Sequence, residues 1–369
     1  MNKNFKILVS GGGTGGHIFP ALAIANAIKG MQPETDFLFV GAKGKMEMEK
    51  IPAAGYTIIG LPIAGIQRSF SLSNVLKNII FPFKLVMSLS KAFTIVYNYK
   101  PDLAIGTGGY ASGPVLKMCE WMGVPYIIQE QNSLPGITNK ILGINAKAIC
   151  VAFDNMEAFF AKDKIHITGN PIRENLSSSI CTRNQGIQFF NLDENKFTVF
   201  ITGGSLGARA INEGIAAKVE EFEKNNIQVI WQCGKIYLKD YQKYASSNIK
   251  VMDFVADMDM AYAAADIIVS RAGGTISELA IVGKPTILLP SPNVAEDHQT
   301  KNVEALVHHH ATILIKDEMS KLKLVDTIID LSKDEERRKV LSINIKKMAK
   351  PNAANDIAVI ALNIAKNKK

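Results

Sequence analysis

The chain has 369 residues, 47% of them hydrophobic and 21% charged, a balance that excludes a disordered polymer and a length that calls for two domains. Lys and Arg number 42 against 34 Asp and Glu, a formal net charge of +8, and this excess suits a polyanion, either nucleic acid or the anionic face of a bilayer. Cys119, Cys150, Cys181 and Cys233 stand singly, which excludes a disulfide framework or zinc site and fits a reducing compartment.

The polar start, 1–6, runs straight into a strand-like segment at 6–10 and leaves no room for a signal peptide, so a cytoplasmic location is expected. That strand opens onto Gly11-Gly12-Gly13-Thr14-Gly15-Gly16-His17, followed by a helical stretch at 21–29. Gly11, Gly13 and Gly16 have the spacing of a dinucleotide fingerprint. The next strand, 36–40, ends in Gly41-Ala42-Lys43 where such a site places its acid, so no nicotinamide or flavin cofactor is expected.

Between Arg68 and Lys91 lies an apolar stretch whose core, 75–87, is shorter than the roughly 20 residues of a membrane-spanning helix. Two readings stay open. Ile79, Ile80, Phe81 and Phe83 face acyl chains with Lys77 and Lys84 toward headgroups, an interfacial anchor, or the same residues are the core face of an ordinary amphipathic helix. Nucleic acid would call for clustered Arg interleaved with aromatics, which the sequence lacks.

A strand at 103–106 leads into a second glycine turn, Gly106-Thr107-Gly108-Gly109-Tyr110-Ala111-Ser112-Gly113-Pro114, and further strands are expected at 126–129, 148–151 and 165–168. After Gly169-Asn170-Pro171 periodicity lapses over 174–194, which reads as a linker. The pattern restarts with strands at 197–202, 227–233, 249–253, 266–270 and 286–290. Alternating strands and helices predict an α/β chain of two doubly wound Rossmann-like halves facing across a cleft, with the glycine turns at the carboxyl ends of the strands.

The third turn, Gly203-Gly204-Ser205-Leu206-Gly207-Ala208-Arg209, matches the G-x-S-x-G nucleophile elbow, and Asp266 and His298 follow in hydrolase order. An α/β serine hydrolase using Ser205 is therefore the competing reading; a Ser205 that caps a helix or contacts a phosphate is the other. Asp257-Met258-Asp259 resembles the acid-x-acid signature of metal-dependent sugar transferases, but it precedes a helix at 260–265, where acids serve as caps. His308-His309-His310 point in different directions around a helix, and no metal is expected. In Ser270-Arg271-Ala272-Gly273-Gly274-Thr275-Ile276-Ser277-Glu278, Thr275 and Glu278 are spaced as a capping box. The same helix start is an anion site whose carboxylate can accept both hydroxyls of a ribose.

Gly12-Gly13-Thr14-Gly15-Gly16-His17-Ile18-Phe19-Pro20, Gly108-Gly109-Tyr110-Ala111-Ser112-Gly113-Pro114, Glu130-Gln131-Asn132, Gly169-Asn170-Pro171-Ile172-Arg173, the third glycine turn and Asp297-His298-Gln299 together resemble the MurG family of peptidoglycan N-acetylglucosaminyltransferases. The resemblance implies a two-domain GT-B fold. It also implies transfer of N-acetylglucosamine from UDP-GlcNAc to lipid I, giving lipid II at the cytoplasmic face of the membrane, with no cofactor because UDP-GlcNAc is a substrate.

It divides the chain into an acceptor- and membrane-binding domain over 1–170, with a C-terminal helix at about 352–367 packing back on it, and a UDP-GlcNAc-binding domain over 171–351. Ser205, Arg173 and Gly273-Gly274-Thr275 would hold the UDP diphosphate, Glu278 the ribose and the Phe254-Val255 backbone the uracil. Gln299 and Asn302 would read the sugar hydroxyls, and Thr14, Gly15, Gly16 and Asn132 would complete the donor site. Gly13, Gly108, Gly109, Tyr110 and Ser112 would take the acceptor. His17 is the candidate base for the attacking hydroxyl, since an imidazole at a helix N-terminus stays neutral; packing at the loop, or binding the acceptor diphosphate, is its other reading. The Ala272-Gly273-Gly274-Thr275 turn is shorter than the form some members carry.

Overall fold

Near-continuous apolar runs such as Lys6–Ser10 and Phe197–Thr202 become strands whose residues are buried on both faces, the state that a parallel sheet covered by helices requires. The computed structural model describes residues 4–65, 72–172, 181–294 and 297–367, with side chains described from residue 79 onward in the helix that begins at Leu72. It divides into two compact units, Met1–Arg173 with Pro351–Lys369, and Glu174–Lys350.

The first unit is a parallel sheet of seven strands: β1 (Lys6–Ser10), β2 (Asp36–Ala42), β3 (Thr57–Leu61), β4 (Leu103–Gly106), β5 (Tyr126–Glu130), β6 (Ala148–Val151) and β7 (Ile165–Ile167), in the order β3-β2-β1-β4-β5-β6-β7. One face packs Ala92, Ile95 and Val96 of the helix Leu72–Tyr99 with Val115 and Leu116 of Ser112–Trp121. On the other, Ile18, Ile24 and Ile28 of Gly15–Met31 meet Ile357, Ala361 and Leu362 of the last helix, Ala353–Lys366.

The second unit repeats the plan with six parallel strands: β8 (Phe197–Thr202), β9 (Ile227–Gln232), β10 (Ile249–Met252), β11 (Ile267–Arg271), β12 (Thr286–Leu289) and β13 (Ile313–Leu314), in the order β10-β9-β8-β11-β12-β13. Strand order reverses between β1 and β4 in one sheet and between β8 and β11 in the other. Ligands of doubly wound sheets bind at such switch points.

Three expectations are corrected. The presumed linker at 174–194 contains a helix, Arg183–Phe189, opened by a full capping box in which Thr182 accepts from Gln185 N and Gln185 accepts from Thr182 N. Residues 174–180 lie outside the described ones. The apolar stretch at 75–87 belongs to a 28-residue helix. Its Ile79–Tyr99 portion is long and apolar enough to cross a bilayer by length and composition, yet Ala92, Ile95 and Val96 are built into the sheet's core. Finally, Thr275 and Glu278 form no capping box: the helix Thr275–Val282 takes Gly274 as its N-cap, which places Thr275 one position too far along and leaves no side-chain cap.

Candidate active site

In the first unit the two switch-point strands carry the first two glycine turns, and the register Ser10↔Gly106 brings those turns side by side. Thr107 joins them: its N–H donates to Ser10 O (3.0 Å) and its hydroxyl to the carbonyl of His17 (2.8 Å). Gly108 sits at φ +95°, and a Cβ there would lie 2.8 Å from His17 Cδ2 and 3.0 Å from Nε2. Only glycine allows this approach of backbone to imidazole.

His17 occupies the first turn of Gly15–Met31, a helix with no acid in that turn, so its positive end is uncompensated from within. His17 Nδ1 lies 3.0 Å from Gly12 O and 3.2 Å from Thr14 Oγ1. A carbonyl can only accept, so Nδ1 carries the proton, and in the neutral ring the lone pair then falls on Nε2, the edge beside Gly108.

The candidate acceptor residues have unequal access. The Gly13 N–H is spent on Glu47 Oε2 (3.1 Å). Ser112 is fully buried and braces the second turn by donating to Gly109 O (2.8 Å). Tyr110 is half-buried with its ring against Gly13 and Gly65; burial, and after it the charge of Glu47, raises its hydroxyl above the usual range and keeps it protonated.

Asn132 is held by the buried carboxylate of Glu130, which accepts from Asn132 N (3.0 Å), Asn132 Nδ2 (3.2 Å), Gly136 N (3.2 Å) and Asn139 Nδ2 (2.8 Å). Burial pushes the Glu130 carboxyl up, and these four donors oppose the shift. Gln131 extends the network to Thr107 O (2.6 Å), so the Glu130-Gln131-Asn132 motif is tied to the second glycine turn.

The second unit has the same logic at β8 and β11, where Thr202 pairs with Ser270. Ser205 is exposed at the tip of the third turn, while Gly204 N–H donates to Thr202 Oγ1 (3.1 Å) and Gly207 N–H to Gly204 O (3.0 Å). Behind them sits Gln232, buried at 2% exposure, whose Nε2 donates to Thr202 Oγ1 (3.0 Å) and Gly204 O (2.9 Å) and whose Oε1 accepts from Val255 N (2.8 Å). One side chain thus couples the turn to the candidate uracil contact.

Glu278 is half-buried and accepts from Tyr262 Oη (3.1 Å). Gln299 accepts from Ser291 N (2.8 Å), and its Nε2 stands 3.8 Å from where a Gly273 Cβ would be. Arg271 holds the neighbouring loop, donating from Nη2 to Asp317 Oδ2 (3.0 Å) and from Nη1 to Leu289 O (3.0 Å) and Pro290 O (3.2 Å). Asn302 is buried at 1% exposure. Arg173 lies outside the described residues, as does the side chain of Lys77.

Neither other reading of Ser205 fits. The helix after the third turn begins at Arg209 with Ala208 as N-cap, so Ser205 caps nothing. Asp266, the would-be triad acid, precedes β11 and accepts from Thr198 N at the start of β8 (2.8 Å), while Ser205 follows the far end of that strand. Asp266 is paired instead with Arg183 (3.1 Å), so the elbow's acid is at the wrong end of the sheet.

A cavity of about 380 Å³ adjoins Val255, lined among others by Phe190, Lys250, Met252, Phe254 and Asp257. A larger one, about 770 Å³, opens at the amino-terminal edge of the same sheet around Arg183, Asp266 and Lys284. Volume alone would select the larger, but none of its lining residues belongs to a glycine turn. On the helix Leu72–Tyr99, Ile79 and Phe83 are each 68% exposed, Ile80, Val86 and Met87 are exposed too, and Phe81 and Lys84 are half-buried. The core reading therefore does not describe Ile79, Ile80 and Phe83; the helix joins the sheet's core further along, at Ala92, Ile95 and Val96.

Residues 7–151 match the glycosyltransferase family 28 N-terminal domain and residues 198–357 the glycosyltransferase family 28 C-terminal domain. Over its full length the chain is 51% identical to a Flavobacterium psychrophilum protein, itself fully covered, named UDP-N-acetylglucosamine--N-acetylmuramyl-(pentapeptide) pyrophosphoryl-undecaprenol N-acetylglucosamine transferase. A Cytophaga hutchinsonii protein of the same name is 52% identical over 356 residues, 96% of this chain and 95% of its own. Among solved structures, Acinetobacter baumannii MurG superposes with a TM-score of 0.77 at 25% identity, covering 98% of this chain and 100% of that one. The Neisseria meningitidis UDP-GlcNAc 2-epimerase bound to UDP-GlcNAc reaches 0.66 at 16% identity over 97% of this chain and 99% of that one, a likeness of fold.

Proposed function

We propose, from the premise that this chain belongs to glycosyltransferase family 28 and to its UDP-GlcNAc-dependent N-acetylglucosaminyltransferases, that its two switch-point crevices divide the labour of the reaction. The enzyme transfers N-acetylglucosamine to the muramyl sugar of lipid I to form lipid II. The second unit takes the nucleotide. Ser205 and the Gly273-Gly274-Thr275 helix start receive the diphosphate, Arg173 adds its charge, Glu278 accepts the ribose hydroxyls, and Gln299 reads the sugar with Asn302 behind it. Because the Val255 N–H already serves Gln232, the Val255 carbonyl is the group left for the uracil N3–H.

The first unit takes the acceptor. Gly108, Gly109 and Tyr110 line its crevice beside the uncompensated helix start, which suits a diphosphate, while Thr14, Gly15 and Gly16 are kept for the donor. Gly13 and Ser112 shape that crevice from within, and Asn132 joins Thr14, Gly15 and Gly16 as a donor contact. The acceptor hydroxyl attacks the anomeric carbon from the face opposite UDP. The new C–O bond forms as the bond to the phosphate oxygen breaks, the configuration inverts, and the hydroxyl proton passes to His17 Nε2. Helix-start amides and Arg173 stabilise the departing UDP. The exposed Ile79, Ile80, Phe83, Val86 and Met87, with Phe81, Lys77 and Lys84, rest on the bilayer that carries the lipid tail.

The single observation that carries this reading is the 3.0 Å approach of His17 Nδ1 to the Gly12 carbonyl, which turns Nε2 toward Gly108 at the meeting of the two acceptor turns. Transfer of labelled sugar from UDP-GlcNAc to a short-chain lipid I analogue in EDTA tests it. Product forms in chelator, and His17→Ala lowers kcat by about 10²- to 10⁴-fold, the usual weight of a general base. Near-normal turnover in His17→Ala with an unchanged pH profile would remove His17 from that role.

A further inference from the structure

We propose that Glu47 is the positioning residue of His17 and acts on it through the peptide bond between Gly12 and Gly13. The proposal rests on the reading of His17 as the base. Glu47 opens the short helix Glu47–Ala53, 34 residues after Gly13, and is fully buried. Its Oε1 accepts from Ala42 N (3.0 Å) at the end of β2, and its Oε2 accepts from Gly13 N (3.1 Å). The Gly13 N–H and the Gly12 carbonyl are the two ends of a single peptide unit, and that carbonyl is the partner of His17 Nδ1 at 3.0 Å. A carboxylate on the N–H end polarises the amide and makes its oxygen a better acceptor. It also fixes the plane of the peptide, and with it the direction of the carbonyl.

The consequence falls on the imidazole. The Thr14 hydroxyl, 3.2 Å from Nδ1, both donates and accepts and so selects no tautomer. The Gly12 carbonyl selects one, with the proton on Nδ1 and the lone pair on Nε2. Glu47 therefore does for His17 what the carboxylate does in a carboxylate–histidine pair, with one peptide unit inserted between them. The packing is built for this side chain: a Cβ at Gly12 would collide with Glu47 Oε1, and one at Gly41 would lie 2.5 Å from Glu47 Cγ.

Imidazole ¹⁵N shifts of His17 in the full-length protein are the direct test. The parent chain should show the Nδ1-protonated tautomer, and Glu47→Gln a mixture of both. In the same variant kcat should fall roughly 10- to 100-fold, the range in which an outer partner acts on an oriented imidazole, with KM for UDP-GlcNAc unchanged. Placed in a His17→Ala background, Glu47→Gln should lower kcat no further. An Nε2-protonated tautomer in the parent overturns the proposal without any variant, which covers the case in which Glu47→Gln fails to fold. A folded Glu47→Gln with an unaltered tautomer, or losses that add in full, overturns it as well. If His17→Ala instead keeps its turnover, the base assignment fails, while the tautomer still decides the coupling.

Discussion

Glu47 and Gln232 occupy matching posts behind the two crevices, each buried and each engaging backbone groups of a loop that follows a switch-point strand. Gln232→Leu keeps the volume and removes three hydrogen bonds, leaving Thr202 Oγ1, Gly204 O and Val255 N without this partner. Thr202 Oγ1 and Gly204 O keep Gly204 N and Gly207 N as donors, so Val255 N is the group stranded; a stranded buried polar group costs about 1–3 kcal/mol, and denaturant unfolding should show a loss of that order. KM for UDP-GlcNAc should rise while KM for the acceptor stays put; a change confined to the acceptor would contradict the assignment of that crevice. Neither residue was legible in the sequence. The glycines, His17 and Ser205 announce themselves by spacing along the chain, whereas Glu47 meets Gly13 only because β2 lies beside β1. A contact made by sheet order leaves no local pattern to read.

Elements were legible where the chain's periodicity is strong. The segments Lys6–Ser10, Leu103–Gly106, Ala148–Val151 and Phe197–Thr202 are strands with the boundaries the apolar runs mark. Thr57–Leu61 escaped because it is five residues long with Gly60 in its interior, and Ile313–Leu314 because two residues carry no period. The Arg183–Phe189 helix had a readable Thr182 and Gln185 signal, obscured by its polar neighbours. The helix Leu72–Tyr99 hid its length because its surroundings change midway, from exposed Ile79 and Phe83 to buried Ala92 and Val96. Replacing both Ile79 and Phe83 by Ser should reduce co-sedimentation with anionic vesicles, since each removes about 1.5–3 kcal/mol of available burial, and leave UDP affinity alone. Unchanged vesicle binding, or equal loss of both properties, would remove this face from the membrane contact.

At the scale of the molecule, each unit has its own sheet and core, so each should answer to its own ligand. Saturating UDP should raise the unfolding transition of the Glu174–Lys350 unit by linkage, about 2.7 kcal/mol at a hundredfold excess over Kd. Ending the chain after Lys350 strips the first unit of the helix whose Ile357, Ala361 and Leu362 fill its core. The first transition should then fall or vanish while the UDP-responsive one remains; a truncated chain with both transitions intact would show that the helix contributes little. The same helix sets a timetable for synthesis. The first unit's sheet is translated long before its final cover, and the ribosome must make residues 174–350 in between. At roughly 5–20 residues per second that interval is about 10–35 s. During it the Ile18, Ile24 and Ile28 face stands uncovered on the nascent chain, the natural moment for a chaperone to hold it and for aggregation to begin.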